Sequence, residues 1–205
     1  MSEPEELLAL LRTRRSIRRF KPGPVPREAL ERIIEHAAYA PSAMNLQDWY
    51  FVIVEREETR RALLEASRKR WDEIAATHSD SGAVRELAEH ALRYSRFDAS
   101  PALIAVACRR IDDLKEQVLA DNAEAVAGSM ISAAMAAQNL MLAAHAMGFG
   151  TCCYTGPLAA RKELEKRLGF RRRHKLVCLI AIGVPDEAPS APARKPLKYI
   201  ARFEE

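Results

Sequence analysis

The sequence predicts a layered protein of the α/β or α+β class, because strand-like segments alternate with helical ones along the chain. The chain has 205 residues, of which 48% are hydrophobic and 29% are charged. That composition is typical of one globular domain with enough apolar material for a core. No internal repeat is visible. These observations exclude disordered, collagen-like and low-complexity architectures.

Two helices and an extended arm are predicted before the first strand. Leucines at helical spacing indicate a first helix over residues 3–13. Residues 15–20 then run extended into a Pro-Gly-Pro turn. A second helix begins at Pro26, carries an apolar stripe and ends at Pro41.

The middle of the chain contains two predicted strands that flank two charged helices. Residues 49–54 are aromatic and β-branched, which favours a strand. Leu- and Ala-bearing charged segments over 57–78 and 84–97 predict helices. The apolar run over 102–108 has the length of a buried strand.

An Ala- and Met-rich helix is predicted over residues 124–147, closed by Gly148. It is apolar on all sides, but its polar residues argue against a membrane span. Either a dimer interface or a plain core position accounts for such a helix. The remaining predictions are a strand over 151–154, a helix over 158–168, a buried strand over 176–184 and an extended tail over 185–205.

Charge and cysteine usage limit the classes of partner and compartment. The formal net charge is +4 and the isoelectric point about 9.0, which permits an anionic partner without singling out nucleic acid. Four cysteines form no CxxC pair, and the histidines have no metal-ligand spacing, so we expect no metal. The acidic N-terminal segment shows no secretory signal, which predicts a cytoplasmic protein without a membrane anchor.

A basic arm near the N-terminus is the first candidate site. Alternation in an extended segment places Arg14, Ser16 and Arg18 on one face, with Arg15 and Arg19 on the other. Guanidinium groups and a hydroxyl that converge in this way suit a phosphate. A solvated basic patch is the alternative. Nucleic-acid binding is weakened because no helix-turn-helix, zinc-finger or RNP signature is present.

Two further segments are predicted loops whose residues could contact a ligand. Ser42, Asn45 and Gln47 lie between a helix and a strand, and they offer short donors and acceptors for the edge of a planar heterocycle. By itself, this pattern is equally typical of a turn. Residues 148–157 contain GxG but not GxGxxG, so the dinucleotide-binding fingerprint is not met. Gly156 before a proline allows close backbone approach to a flat ligand.

Taken together, these segments resemble the nitroreductase family. The resemblance lies in Arg-Arg-Ser-Ile-Arg-Arg-Phe, then Ala-Pro-Ser-Ala-Met-Asn-Leu-Gln-Asp-Trp-Tyr-Phe, then Gln-Asn-Leu-Met-Leu-Ala-Ala-His-Ala-Met-Gly-Phe-Gly, and finally Ile-Ala-Ile-Gly-Val-Pro and Ala-Arg-Lys-Pro-Leu. It implies an α+β fold of three α/β/α layers with a central, mostly antiparallel sheet. It also implies an obligate homodimer with FMN at each subunit interface. One domain would cover residues 1–205, with 186–205 as an extension that packs on the partner.

The resemblance also implies roles for individual residues. The leading Arg and Ser of the arm would hold the FMN phosphate, and Arg18 would lie near N1 and O2 of the flavin. Residues 41–47 would come from the second subunit, residues 153–156 would lie near the flavin N5 edge, and Arg194 would reach back to the phosphate. The full implied set is Arg14, Arg15, Ser16, Arg18, Pro41, Ser42, Ala43, Asn45, Gln47, Cys153, Tyr154, Thr155, Gly156 and Arg194.

The implied activity is an FMN-dependent oxidoreductase. NADH or NADPH would deliver hydride to flavin N5, and a nitroaromatic, a quinone or a similar acceptor would follow in a ping-pong sequence. No side chain is expected to act as catalyst. Asp48, Cys153 and Thr155 depart from residues common in the family, which leaves the substrate open. Reductive dehalogenation, flavin breakdown and non-catalytic flavin binding are the alternatives.

Overall fold

The computed structural model describes residues 3–109 and 127–204, which form helices on both sides of one sheet. In chain order, the helices and strands are α1 Glu3–Thr13, α2 Arg27–Ala37, β1 Trp49–Val54, α3 Glu57–Thr77, α4 Gly82–Tyr94, β2 Ala102–Arg109, α5 Gly128–Ala146, β3 Gly150–Tyr154, α6 Arg161–Arg167 and β4 His174–Gly183. Short 3₁₀ helices cover Ala43–Asn45, Phe97–Ala99, Gly156–Ala160 and Leu197–Tyr199.

The sheet has the strand order β1-β2-β4-β3, and each neighbouring pair is antiparallel. β2 and β4 are central and nearly all apolar, because helices cover both of their faces. β3 is an edge strand. The predicted α+β class and antiparallel sheet are confirmed.

Two apolar clusters define the outer layers of helices. On one face of the sheet, Leu30 and Ile33 of α2 and Leu140 of α5 pack against alternate residues of β2 and β4. On the other face, Leu63 of α3 and Leu164 of α6 pack against the intervening residues. Because successive side chains of a strand point to opposite faces, each central strand contributes to both apolar clusters. This arrangement is the predicted α/β/α order.

Element boundaries differ from the sequence predictions at a few ends. The helix predicted over 158–168 begins as the 3₁₀ turn Gly156–Ala160 and becomes α-helical at Arg161. The helix predicted over 84–97 is α4, which begins at Gly82, two residues earlier than predicted. Ser81 caps its N-terminus by accepting a hydrogen bond from the Val84 N–H. The first residues of the helix predicted over 124–147 lie outside the described part of the chain.

α5 is a core helix on one side only. One side of the helix is buried in the core through Ala133, Ala137 and Leu140. The opposite side leaves Ile131 and Met135 half exposed. None of the helices in the described residues combines the length and apolarity needed to cross a membrane.

Candidate functional site

The basic arm, residues 14–20, lies along the free edge of the sheet. Ser16 forms a parallel bridge with Thr151 of β3, and the Ile17 N–H donates to the Thr151 carbonyl oxygen at 2.9 Å. Farther along, Phe20 bridges to Pro185, which follows β4. The arm is therefore extended, as predicted, because it pairs at both ends with backbone that the sheet positions.

Close approach at the start of β3 depends on a glycine. A Cβ on Gly150 would lie 2.7 Å from the Ile17 Cβ, closer than side chains tolerate. Ile17 itself is buried. The buried isoleucine anchors the arm and leaves the flanking arginines outside the core.

A carboxylate also holds the arm. The N–H groups of Arg18 and Arg19 donate to Oε1 of Glu187 at 2.5 Å and 3.0 Å. Burial alone raises the pKa of Glu187, but these two donors and the nearby arginine charges lower it below its ordinary value overall. Glu187 therefore fastens the start of the C-terminal tail to the arm. No sequence motif pointed to this residue.

The arm and the tail enclose a cavity of about 440 Å³, here called the arginine cavity. It is lined by Arg14, Arg15, Ser16, Arg18, Pro189, Ser190, Pro192 and Arg194. Five residues of the predicted site thus come together, although Arg194 is far away in sequence. Strand alternation predicted that Arg14 and Arg15 would lie on opposite faces, but both line this cavity. The reason is that the backbone is still helical at Arg14, whose N–H donates to the Leu10 carbonyl oxygen of α1.

A second cavity of about 380 Å³ adjoins the first and shares Arg14, Arg15 and Pro189 with it. His145 and Thr151 are also in its wall. His145 Nε2 lies 3.0 Å from Thr13 Oγ1. Burial, with the charges of Arg14 and Arg15, lowers the pKa of His145. The imidazole is therefore neutral near pH 7 and adds no charge to the arginines.

β3 extends from the second cavity, whose wall includes Gly150 and Thr151, to the predicted Thr155–Gly156 loop. Because Thr151 turns its carbonyl to the free edge, alternation turns the backbone of Cys153 to the same edge. Cys153 is exposed as a residue, although its sulfur lies against the protein. A hydrogen bond with Cys178 lowers the pKa of the Cys153 thiol, and partial desolvation of the sulfur opposes that shift. At about 3.3 Å per residue, an elongated ligand laid along this strand would reach from the cavity to Gly156.

The end of β3 is held by α3 and α4. The Trp71 indole N–H donates to the Gly156 carbonyl oxygen at 3.0 Å. A Cβ on Gly156 would lie 3.3 Å from Ser95 Oγ, just beyond α4. Across the same region, the guanidinium carbon of Arg18 lies 5.7 Å from the centre of the Tyr94 ring. The sequence indicated Arg18 and Gly156 but not Trp71 or Tyr94, whose helices carry only an amphipathic signal.

The loop over residues 41–47 has a strained backbone and lies outside the two cavities. Met44, Asn45 and Gln47 all have φ near +50°, which is costly for residues other than glycine. Gln47 donates from its N–H to Ser42 Oγ at 3.0 Å and from Nε2 to Asn45 Oδ1 at 3.1 Å. Residues 41–47 line neither the arginine cavity nor its neighbour. Within one chain, the predicted site is therefore brought together only in part.

The loop is tied instead to the start of α5. The Ala43 N–H contacts Ser132 Oγ at 3.4 Å, and Ser129 donates to the carboxylate of Asp48. Asp48 also accepts the Arg109 N–H through its carbonyl, at 2.9 Å. Asp48, which departs from the family pattern, thus joins β1, β2 and α5. The loop lies beside the half-exposed apolar side of α5.

The donor set of the arginine cavity suits a phosphate. Among the described residues, four guanidinium groups and the Ser16 hydroxyl line it, and no carboxylate does. Arginine forks bind phosphate oxygens bidentately, and a dianion relieves the mutual repulsion of the cations. Beyond Thr151, with which the arm pairs, the edge backbone of β3 at Cys153 suits the polar edge of a flat heterocycle. The residues present therefore fit a phosphate-bearing planar cofactor such as FMN.

Comparisons with known proteins show the family of this chain. The model of the family described as "Nitroreductase family" matches residues 11–184. The Bacillus subtilis protein YfhC, whose assignment as an NAD(P)H nitroreductase is provisional, is 28% identical over 191 residues, covering 92% of this chain and 89% of that protein. Iodotyrosine deiodinase 1 of Rattus norvegicus is 25% identical over 193 residues, covering 93% of this chain and 66% of that protein. The crystal structure of a BluB-like flavoprotein from Clostridium difficile superposes with a TM-score of 0.83 at 25% identity, covering 100% of both chains.

Proposed function

Because this chain belongs to the nitroreductase family, we propose that it is an FMN-dependent oxidoreductase that transfers electrons from NADH or NADPH to an electron-poor acceptor. A nitroaromatic or a quinone is the acceptor class. The observation that carries the proposal is the arginine cavity at the start of the edge strand, where Arg14, Ser16, Arg18 and Arg194 meet.

Each part of the site has a distinct role. Arg14, Arg15, Ser16 and Arg194 hold the cofactor phosphate through charge-assisted hydrogen bonds. The edge of β3, from Cys153 through Tyr154 and Thr155 to Gly156, orients the ring by its backbone. When bound, FMN supplies the acceptor and donor of hydride at its N5 atom.

Arg18 stabilises negative charge on the ring. It comes from the arm, whose backbone Glu187 fixes, and its guanidinium lies over Tyr94. A fixed cation placed before the reaction stabilises developing negative charge without reorganisation. Arg18 is therefore expected to favour the reduced cofactor. No general acid or base is required of the protein.

A second copy of the chain completes the site. The apolar side of α5, with Met130, Ile131 and Met135, is exposed in the single chain. The tail adds exposed apolar side chains from residues 197–203, and residues 186–205 are proposed to pack on the partner. The strained loop, with Pro41, Ser42, Ala43, Asn45 and Gln47, would then reach the partner's cofactor.

We propose that the two substrates use one shared site in turn. If the nicotinamide and the acceptor both bound against the same face of the cofactor, the first would have to leave before the second could bind. This order is ping-pong. Cys152, Cys153 and Cys178 form no disulfide among the described residues, which suits the reducing cytoplasm that we propose as the compartment.

The experiment is a visible absorption spectrum of the purified protein, followed by anaerobic titration with NADH and NADPH and then with a quinone. We expect flavin bands that bleach with one equivalent of nicotinamide and return with the quinone. Arg18→Ala should lower FMN affinity or slow reduction, whereas Arg32→Ala, on the exposed side of α2, should do neither. A colourless protein that ignores added FMN would refute the proposal.

Reductive dehalogenation is a second candidate, which the 25% identity to iodotyrosine deiodinase 1 supports. Both candidates use the same cofactor site and differ in the acceptor. With the reduced protein, release of iodide from 3-iodo-L-tyrosine at a rate above that of quinone reduction would favour the second candidate. The reverse order of rates would favour the first.

A further inference from the structure

A cleft of about 870 Å³ opens between α3 and the segment from the 3₁₀ turn Gly156–Ala160 into α6. It shares no lining residue with the arginine cavity or its neighbour. Three alanines line it together with charged side chains. Its cations are Lys69, Arg70, Arg161, Lys162, Arg167 and Lys175. We call it the basic cleft.

The carboxylates in the basic cleft are already engaged. Glu73 pairs with Arg70 at 3.1 Å, and Glu163 pairs with Arg167 at 2.8 Å. The lining therefore keeps an excess of four positive charges. Like the arginine cavity with its four guanidinium groups, the basic cleft is thus a concave surface with an excess of positive charge.

Arg161 carries a polar atom that the described chain leaves unsatisfied. Its Nε is buried and has no hydrogen-bond partner among the described residues. No ion pair within those residues involves Arg161, Lys69 or Lys175 either. Uncompensated like charges that face one another repel, so an anion in the cleft would relieve the repulsion.

The lining also narrows the class of anion. The described lining residues include no aromatic side chain that could stack on a nucleobase, and their apolar part consists of Ala66, Ala159 and Ala160. The recognition elements are several cations spread over a volume that suits a small ligand. We propose that the basic cleft binds an oligophosphate, meaning a chain of two or more linked phosphates that is free or part of a nucleotide.

Binding would act on both walls of the cleft. Lys69 and Arg70 belong to α3, whereas Arg161 and Lys162 belong to α6. A polyanion that contacts both groups of cations draws the two helices together. It should therefore stabilise the folded state, with an increase in melting temperature that follows ligand concentration.

The test is calorimetric titration of the purified protein with tripolyphosphate, in the presence of excess FMN to occupy the arginine cavity. We expect saturable binding that weakens as salt increases. The double variant Lys69→Gln/Arg161→Gln should weaken binding tenfold or more. Arg68→Gln is the matched control, since Arg68 neighbours Lys69 on α3 but lies outside the cleft, and it should bind as the unmodified protein does.

Titrations with orthophosphate and ATP distinguish the sources. Equal affinity for tripolyphosphate and ATP identifies the phosphate chain as the ligand, and tighter binding of ATP identifies a nucleotide. If the first double variant does not fold, Lys162→Gln/Lys175→Gln tests the same surface. An absence of binding, or binding that both double variants retain, overturns the proposal. Neither result depends on the flavin chemistry, because the variants leave the arginine cavity intact.

Discussion

The indole N–H of Trp71 donates a hydrogen bond of 3.0 Å to the carbonyl oxygen of Gly156. This bond joins α3 to the 3₁₀ turn Gly156–Ala160, which begins just after the edge strand. Trp71 is buried and packs with Ala88 and Ala91 of α4. One side chain therefore couples both outer helices to the loop that we propose lies beside the reacting edge of the cofactor.

Trp71→Phe should weaken both the fold and cofactor binding. Phenylalanine keeps the ring packing but leaves the Gly156 carbonyl without its donor, which costs about 1–3 kcal/mol. Chemical denaturation and FMN titration should show both losses. Trp49→Phe is the control, because the Trp49 indole makes no hydrogen bond among the described residues. Equal effects of the two substitutions would contradict a role for the Trp71 hydrogen bond.

Gly150→Ala should displace the basic arm. The new Cβ would lie 2.7 Å from the Ile17 Cβ, so the arm must shift. Overpacking of this kind destabilises by about 1–3 kcal/mol, and FMN affinity should decrease with it. Gly82→Ala makes the same chemical change at the start of α4, where a Cβ meets nothing within 4 Å. Thermal unfolding of that control should show unchanged or slightly increased stability.

Glu187 should make stability depend on pH in the acid range. Its pKa in the folded protein is below its unfolded value of about 4.3. Its contribution is therefore present above that unfolded value and is lost as pH falls through the folded pKa. Urea unfolding of the protein and of Glu187→Gln should differ at pH 7 and converge at low pH.

The control for this pH dependence is Glu86→Gln, which removes an exposed carboxylate of α4. Its stability curve should run parallel to that of the unmodified protein at all pH values. A stability difference for Glu187→Gln that persists undiminished in acid would show that the carboxylate charge is not responsible.

Ile131→Glu should prevent dimer formation. The Ile131 side chain is 52% exposed on the apolar side of α5, and a buried charge at an interface is costly. Sedimentation should show a monomer, and FMN affinity should decrease because the partner's loop is absent. Leu87→Glu places the same charge on a 56% exposed leucine of α4 and should leave the oligomeric state unchanged. A monomeric unmodified protein would contradict the proposed dimer.

Local patterns predicted most of the fold. β1 has the bounds expected from its aromatic and β-branched run, and α1 those expected from its leucines. These signals are local because the period of side-chain burial is set by backbone geometry within a few residues. Less was predictable at Gly156–Ala160, where a proline near the helix start favours a 3₁₀ turn before the α-helix.

The amino-acid order alone determined the alternation of helices and strands, the order of elements and the arginine-rich arm, since each of these depends on neighbours along the chain. It left α/β and α+β open, and the α+β class was implied by the family resemblance. The folded chain decided that Arg194 meets Arg14, that Glu187 holds the Arg18 backbone and that Trp71 reaches Gly156. Each of those contacts joins residues that are far apart in the sequence. They follow from the closing of the sheet and its helices, to which every core residue contributes at once.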